Sequence, residues 1–365
     1  MSWPAALLTK RRRFMALFVG AELVLAMSVP FLAIGGYHAL LNSRAGRFVE
    51  QPGEGDPGWR ALVDPSPLVA VVEIEGEQIT GIALLAGTVD EAAGGTVILV
   101  PANLQVDDAA LADREPAEAV AALSGALRLR ITAIEQMTRE RWQTLLGDKA
   151  YQVSNPDPIV NDFGQPILAV GPATIDGSTV STFLGLPAPG ADSITLMFRR
   201  HIFWSAMVSD PPMSQMPGSD DPLLESLDEV TGPAARVVDL PLMAVEPNPT
   251  PDLAAAEALI REVVPVPAGA HPGDRLQVRV IDRTGVADLP AIAAEVASTG
   301  SEVIEIGNAP EFDGGLTHLV VPTGFDDPGI SELASLTGAT TVHDDEIDAD
   351  PVVTLLIGSD FVTNR

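Results

Sequence analysis

The tract Arg199-Arg200-His201 gathers cationic side chains in a region otherwise short of cations. Two guanidinium groups can hold a phosphate or similar head group by charge and by forked hydrogen bonds. The opposing reading is geometric. Adjacent residues on a helix face different sides, so at least one of the arginines would pair with an acidic neighbour or meet solvent. A second cluster, His343 to Asp350 (HDDEIDAD), could offer oxygens to Ca²⁺. It lacks the glycine and the distal Glu of an EF-hand loop, and the same composition suits a solvated loop.

Other chemistries are excluded by what is missing. The 365 residues contain no Cys, so disulfides, thiolate metal sites and thiol catalysis are ruled out, and the five His are dispersed. No Gly-x-Ser-x-Gly turn, no Walker loop and no Gly-x-Gly-x-x-Gly following a strand occurs. The formal charge of −29 repels polyanions, which argues against nucleic acid as a partner.

The elements that must carry Arg199 and Arg200 can be traced from the apolar pattern. Leu68–Ile74 and Ile79–Ala86 are β-branched-rich runs expected to form a hairpin, with Val97–Val100 as a central strand. Pro116–Leu129 has helical spacing with Pro at its start, and Arg141–Leu146 is a shorter helix stopped by Gly147. Ile194–Val208 is a strong element and holds the arginine pair. Twelve of the 31 prolines then fall between Pro211 and Pro272, which marks a boundary interrupted by one helix, Asp252–Val263.

Beyond it, strands are expected at Leu276–Ile281, Glu302–Ile306, Leu316–Val321 and Val352–Ile357, with helices at Asp288–Ser298 and Pro328–Leu336. That order, β-α-β-β-α-β, predicts a split-βαβ, ferredoxin-like domain.

At the other end, Phe14–Leu41 is apolar apart from Glu22, Ser28, Tyr37 and His38, and follows Lys10-Arg11-Arg12-Arg13. As a helix it would be roughly 42 Å long at 1.5 Å per residue, more than the roughly 30 Å that a bilayer core requires. The cations predict a single-pass cell-membrane protein with its N-terminus cytoplasmic and everything after Leu41 outside. The run is too long for a cleaved signal peptide. Glu22 is then either a functional carboxylate within the span, where such a charge is expensive, or, as is expected, a residue near the cytoplasmic boundary of a span from Leu23 to Leu41. The expected organisation is residues 1–45 as stub and anchor, 46–67 as linker, 68–243 as an α/β domain, 244–275 as a Pro-rich linker, and 276–365 as a second, smaller α/β domain.

Three stretches near the C-terminus, VRVIDRTGVADLPAIAAEVASTGSEVIEIGNA, LTHLVVPTG and VVTLLIGSDF, resemble the LytR C-terminal domain of actinobacterial envelope proteins. The domain before it resembles a LytR-CpsA-Psr domain. GGTVILVPANLQV sits where that family has a strand ending in Pro-Arg-Asp. VGPATIDGSTVSTFLGLP resembles the Gly-x-x-x-Leu-Asp-Gly stretch that leads into Arg-x-Arg, and ADSITLMFRRHIFWSAMV resembles the Asp-x-x-Arg-x-x-Arg-Gln helix.

Active members of the family transfer glycopolymers from a polyprenyl-pyrophosphate lipid to peptidoglycan, usually with Mg²⁺. This chain has Ala102-Asn103 in place of the Arg-Asp pair and Leu184-Gly185-Leu186 in place of Arg-x-Arg, and keeps Asp192, Arg199, Arg200 and His201. The resemblance therefore implies a non-catalytic envelope protein, without a cofactor, that scaffolds or regulates glycopolymer attachment beside active family members and other envelope proteins. Two alternatives are an active transferase using Mg²⁺, and a protein that binds polyprenyl phosphate through Arg199, Arg200 and Asp192 without turnover.

Overall fold

Three successive strands lack the polar alternation of a half-exposed sheet, and the structure shows why: both of their faces are covered. This computed structural model describes residues 52–87, 94–161, 163–186, 193–210, 222–243, 249–344 and 352–363. The apolar run Phe14–Leu41, its flanking cations and Asp192 lie outside them. Among the described residues no helix is long and apolar enough to cross a membrane. Contacts separate Met1–Gly53 from Glu54–Arg365, and the second unit is the one described below.

Its elements begin with β1 (Arg60–Leu62), β2 (Leu68–Glu75), β3 (Gln78–Ala86), β4 (Thr96–Pro101) and the short pair β5 (Gln105–Val106) and β6 (Ala109–Ala110). Helix α1 (Pro116–Leu127), β7 (Ala133–Met137), α2 (Arg139–Leu146) and β8 (Ala150–Asn155) follow. Next come β9 (Ile159–Val160), β10 (Pro166–Leu168), β11 (Gly171–Asp176), α3 (Val180–Gly185), α4 (Ser193–Ser209), α5 (Pro222–Val230), β12 (Arg236–Asp239) and α6 (Leu253–Val263). The last part comprises β13 (Gln277–Asp282), α7 (Leu289–Ala297), β14 (Glu302–Asn308), β15 (His318–Pro322), α8 (Pro328–Thr337), β16 (Thr340–Asp344), β17 (Val352–Ile357) and α9 (Ser359–Thr363). The fold is mixed α/β.

The first lobe is built on a five-stranded sheet of order β12-β4-β3-β2-β7. β3 pairs antiparallel with both β2 and β4, while β12 joins β4 and β7 joins β2 in parallel at the two edges. Successive residues of a strand point to opposite faces. Val69, Val71, Ala83, Leu85, Val97 and Leu99 therefore meet Trp142, Phe183, Phe203 and Trp204 from α2, α3 and α4 on one face. Ala70, Val72, Ile82, Leu84, Ile98 and Val100 meet Val120 and Leu123 of α1 and Ala256 and Ile260 of α6 on the other. Helix α6 falls within the stretch predicted as a Pro-rich linker, but it completes this second face.

The second lobe departs from the predicted ferredoxin-like order. Its sheet runs β1-β14-β13-β17-β15-β16. A split-βαβ sheet places a third strand between the two strands of each βαβ unit. Here β13 pairs directly with β14, and β15 directly with β16, both in parallel. β17 joins the two units, parallel to β13 and antiparallel to β15. The sequence reading missed β16 because Thr340–Asp344 is exposed along nearly all its length and carries no apolar run. The predicted linker 46–67 also contributes: β1 pairs antiparallel with β14, and the Asn308 amide nitrogen donates to the carbonyls of Glu54 and Asp56 at 2.8 and 2.9 Å.

Candidate anion-binding site

Glu73 is the carboxylate in the otherwise apolar start of β2, and it shares a face with Val69 and Val71. A charge buried there requires a cation. Helix α4 supplies one, because Arg200 and Trp204 are one turn apart and lie on the same side. Arg200 Nε donates to Glu73 Oε2 at 2.7 Å, and Trp204 Nε1 donates to Glu73 Oε1 at 2.8 Å. Both charged side chains of the pair are 1% exposed. The rest of the guanidinium faces the sheet: Nη1 donates to the Val100 carbonyl and Nη2 to the Ile82 carbonyl, each at 2.8 Å. The guanidinium lies where residue 81 has no side chain; a Cβ on Gly81 would sit 2.1 Å from Arg200 Cζ.

Arg199 has a different environment. Its side chain is 0% exposed, yet only Nη2 is engaged, with the Leu186 carbonyl at 2.5 Å. Nε and Nη1 are buried without a hydrogen-bond partner. The guanidinium carbon stands 5.9 Å from the centre of the Phe183 ring. Burial pulls the Arg199 pKa down and the negative charge of Asp157 opposes that shift. An arginine stays protonated in proteins, so two donors of a buried cation are left for an acceptor. Unsatisfied buried donors of this kind are uncommon. Asn155 Oδ1 and Ser181 Oγ are further buried atoms without a partner, on β8 and α3.

The turn before α3, the helix that carries Phe183, is fixed by Asp176. Asp176 Oδ1 accepts from the backbone N–H groups of Ser178 and Thr179 and from the Ser178 and Thr179 hydroxyls, at 2.6 to 3.0 Å. The Ser178 hydroxyl is the main cause of a carboxyl pKa held below its ordinary value. Gly177 packs against α2, where a Cβ would lie 2.6 Å from Gln143 Cα. The helix that follows ends in Leu184-Gly185-Leu186, which the sequence resemblance sets against Arg-x-Arg. Leu184 is buried in the core, and a Cβ on Gly185 would meet Glu75 Cβ at 2.9 Å.

Of the residues named from sequence, the structure thus buries Arg199 and Arg200 side by side but on separate duties. Arg200 is engaged by Glu73 and the sheet, which leaves Arg199 as the donor-bearing member of the pair. His201 Nδ1 lies 3.8 Å from Asp239 Oδ1 in a partly exposed pair. His343 and Asp344 end β16, and the rest of that acidic cluster lies outside the described residues. Among the described residues no group of three or more His, Asp or Glu is placed to hold a metal ion. A Mg²⁺ site needs oxygen ligands, carboxylates above all; Asn103, which the sequence resemblance sets against an Asp, offers an amide oxygen instead.

Two groups went unnoticed in the sequence. Glu73 was detectable as an isolated carboxylate inside a buried strand. Arg139 was not: it ties α2 to β2 and α3, donating to Glu75 at 2.8 Å and to the Thr182 hydroxyl at 3.4 Å.

No protein-family model and no curated protein matches the chain. Among solved structures, it is similar to a LytR-Csp2A-Psr enzyme from Actinomyces oris, with 16% identity and a TM-score of 0.42 over 59% of this chain and 96% of that one. TagT of B. subtilis gives 12% and 0.41 over 59% and 94%. A LytR-CPS2A-psr family protein, YwtF (TagT), with bound octaprenyl pyrophosphate lipid gives 12% and 0.40 over 59% and 93%.

Proposed function

We propose that this chain is a non-catalytic protein of the cell envelope that scaffolds or regulates glycopolymer attachment, with its first lobe retaining a single-cation pocket for a phosphate-bearing lipid. The observation that carries the reading is the contrast between the two arginines: Arg200 is consumed by Glu73 and two sheet carbonyls, whereas Arg199 keeps two buried donors. Transfer from a pyrophosphate needs several cations, or a metal, to hold the phosphates while charge moves to the leaving group. At the position of the first Arg of the resembled Arg-x-Arg motif, Leu184 is packed into the core, and Ala102 and Asn103 replace the Arg-Asp pair. One guanidinium beside Phe183 can bind a phosphate and position it. It cannot also neutralise a departing phosphate.

The test is direct. Purified protein is incubated with a polyprenyl-pyrophosphate analogue and Mg²⁺, and binding and phosphate release are measured together. Saturable binding that Arg199→Ala weakens at least tenfold, without phosphate release above background, is the expected result. Turnover matching an active family member would overturn the non-catalytic reading, and binding indifferent to Arg199→Ala would remove the pocket. Envelope proteins recovered with the full chain from solubilised membranes would then identify the partner being scaffolded.

A further inference from the structure

Between residues 163 and 170, away from Arg199 in the chain, three large apolar side chains are exposed. Phe163 is 88% exposed, Val170 61% and Ile167 46%, and each belongs to the hairpin formed by β9 and β10 or its connection to β11. The turn presenting Phe163 is built, not slack. Asn161 Oδ1 accepts from the Phe163 and Gln165 backbone N–H groups at 3.0 Å each, and Asn161 Nδ2 donates to Gln165 Oε1 at 3.2 Å. Two backbone bonds, Asn161 N–H to the Gln165 carbonyl and Gly164 N–H to the Asn161 carbonyl, close the loop at 2.9 Å. An aromatic ring is therefore held in water by a pre-formed turn.

We infer that the Phe163 hairpin is a wedge that inserts into the interface of an electrically neutral lipid bilayer. Size argues against a protein partner. A stable protein interface takes about 800 Å² from each side, whereas a Phe contributes roughly 150–250 Å², and two aliphatic neighbours do not close the gap. Charge argues for neutral lipid. No Lys or Arg occurs from Ala150 to Phe198, and the charged residues there are Asp157, Asp162, Asp176 and Asp192, so an anionic surface repels this region. Weak insertion is sufficient if the chain is held by Phe14–Leu41, because only twelve residues, Asn42–Gly53, separate that run from Glu54. They span about 40 Å at full extension, and a short tether raises the effective concentration of the tip at the bilayer. The inference does not depend on whether Arg199 binds an anion.

The chain has no cysteine, so a single introduced thiol can be labelled selectively. The full chain carrying Val170→Cys with an environment-sensitive dye is reconstituted in phosphatidylcholine vesicles containing nitroxide-labelled phosphatidylcholine. Val286→Cys, exposed in the second lobe, serves as the control. The expected result is a blue shift and at least fivefold stronger nitroxide quenching at position 170 than at 286, reduced to the control level by Phe163→Asp or by Ile167→Asp. Circular dichroism verifies that each variant keeps its fold. Equal quenching at the two positions, or quenching at 170 that survives both Asp substitutions, would overturn the wedge. So would a blue shift without nitroxide quenching that disappears when protein is diluted into excess lipid; that outcome would assign the tip to a second copy of the chain.

Discussion

The two lobes treat buried polarity in opposite ways. In the second lobe, polar groups sit at loop ends and are satisfied there: Asp282 accepts from Thr284 and Ala287, Asp327 caps α8, and Asp360 accepts from the Thr317 N–H and hydroxyl. His318 Nδ1 is the exception among its described buried side-chain atoms. The first lobe instead places an ion pair in its core and leaves donors of Arg199 without acceptors beside it. A fully satisfied loop end stabilises its own lobe. A buried cation with spare donors costs stability, a cost that the bound anion of the proposed function would offset.

Breaking the core pair should give the largest effect. Arg200→Met leaves Glu73 buried without its cation and is expected to destabilise by about 3–5 kcal/mol, whereas Glu73→Leu combined with Arg200→Met should recover much of the loss. Denaturant unfolding of the single and double variants measures both. Gly81→Ala acts on the same pair by another route, pushing a methyl group into the guanidinium. Overpacking of this kind costs roughly 1–3 kcal/mol, readable in the same titrations.

The second lobe should answer more locally. Asn308→Ala removes the donors that hold the Glu54 and Asp56 carbonyls and is expected to cost about 1–3 kcal/mol. Faster hydrogen exchange over residues 54–62 than over β2 would place the loss at that strand. The sharpest test of the comparison predicts almost no cost: Arg199→Met removes unsatisfied donors and should leave unfolding within about 1 kcal/mol of the parent or raise stability, while abolishing lipid-phosphate binding. A loss as large as that of Arg200→Met would mean that both arginines are structural.

The smallest effect concerns acid. Asp176 and Asp360 both have carboxyl pKa values lowered by hydrogen bonds, first of all from the Ser178 and Thr317 hydroxyls respectively. A folded-state pKa below the unfolded one gives stability that is present above the unfolded value and lost as pH falls through the folded one. Asp176→Asn should therefore flatten the acid limb of the first lobe's unfolding and leave that of the second unchanged; Asp360→Asn should do the reverse.

Much of the fold was legible because burial writes itself into long apolar runs. The β2–β3 hairpin, β4, α1, α6 and the strand-helix alternation near the C-terminus all stand out in that way. β8 and β11 escaped because they are half-exposed, and β16 because it is almost wholly exposed. The order of the second sheet escaped for another reason. The same sequence of strands and helices suits either a split or an adjacent βαβ arrangement, and only long-range pairing chooses between them.

The candidate site shows the same division. Residue types alone determined that two neighbouring arginines lie on one helix and that Leu184 stands where the resembled motif has Arg; the Glu73 carboxylate is present in the pattern of β2, but its burial was not read from it. Which arginine would meet that carboxylate was decided only by tertiary structure. Neighbouring helical side chains diverge by about 100°, and the register of α4 over the sheet turns Arg200 and Trp204 to Glu73 above the gap at Gly81. Arg199 is thereby directed to the end of α3 with its donors still open.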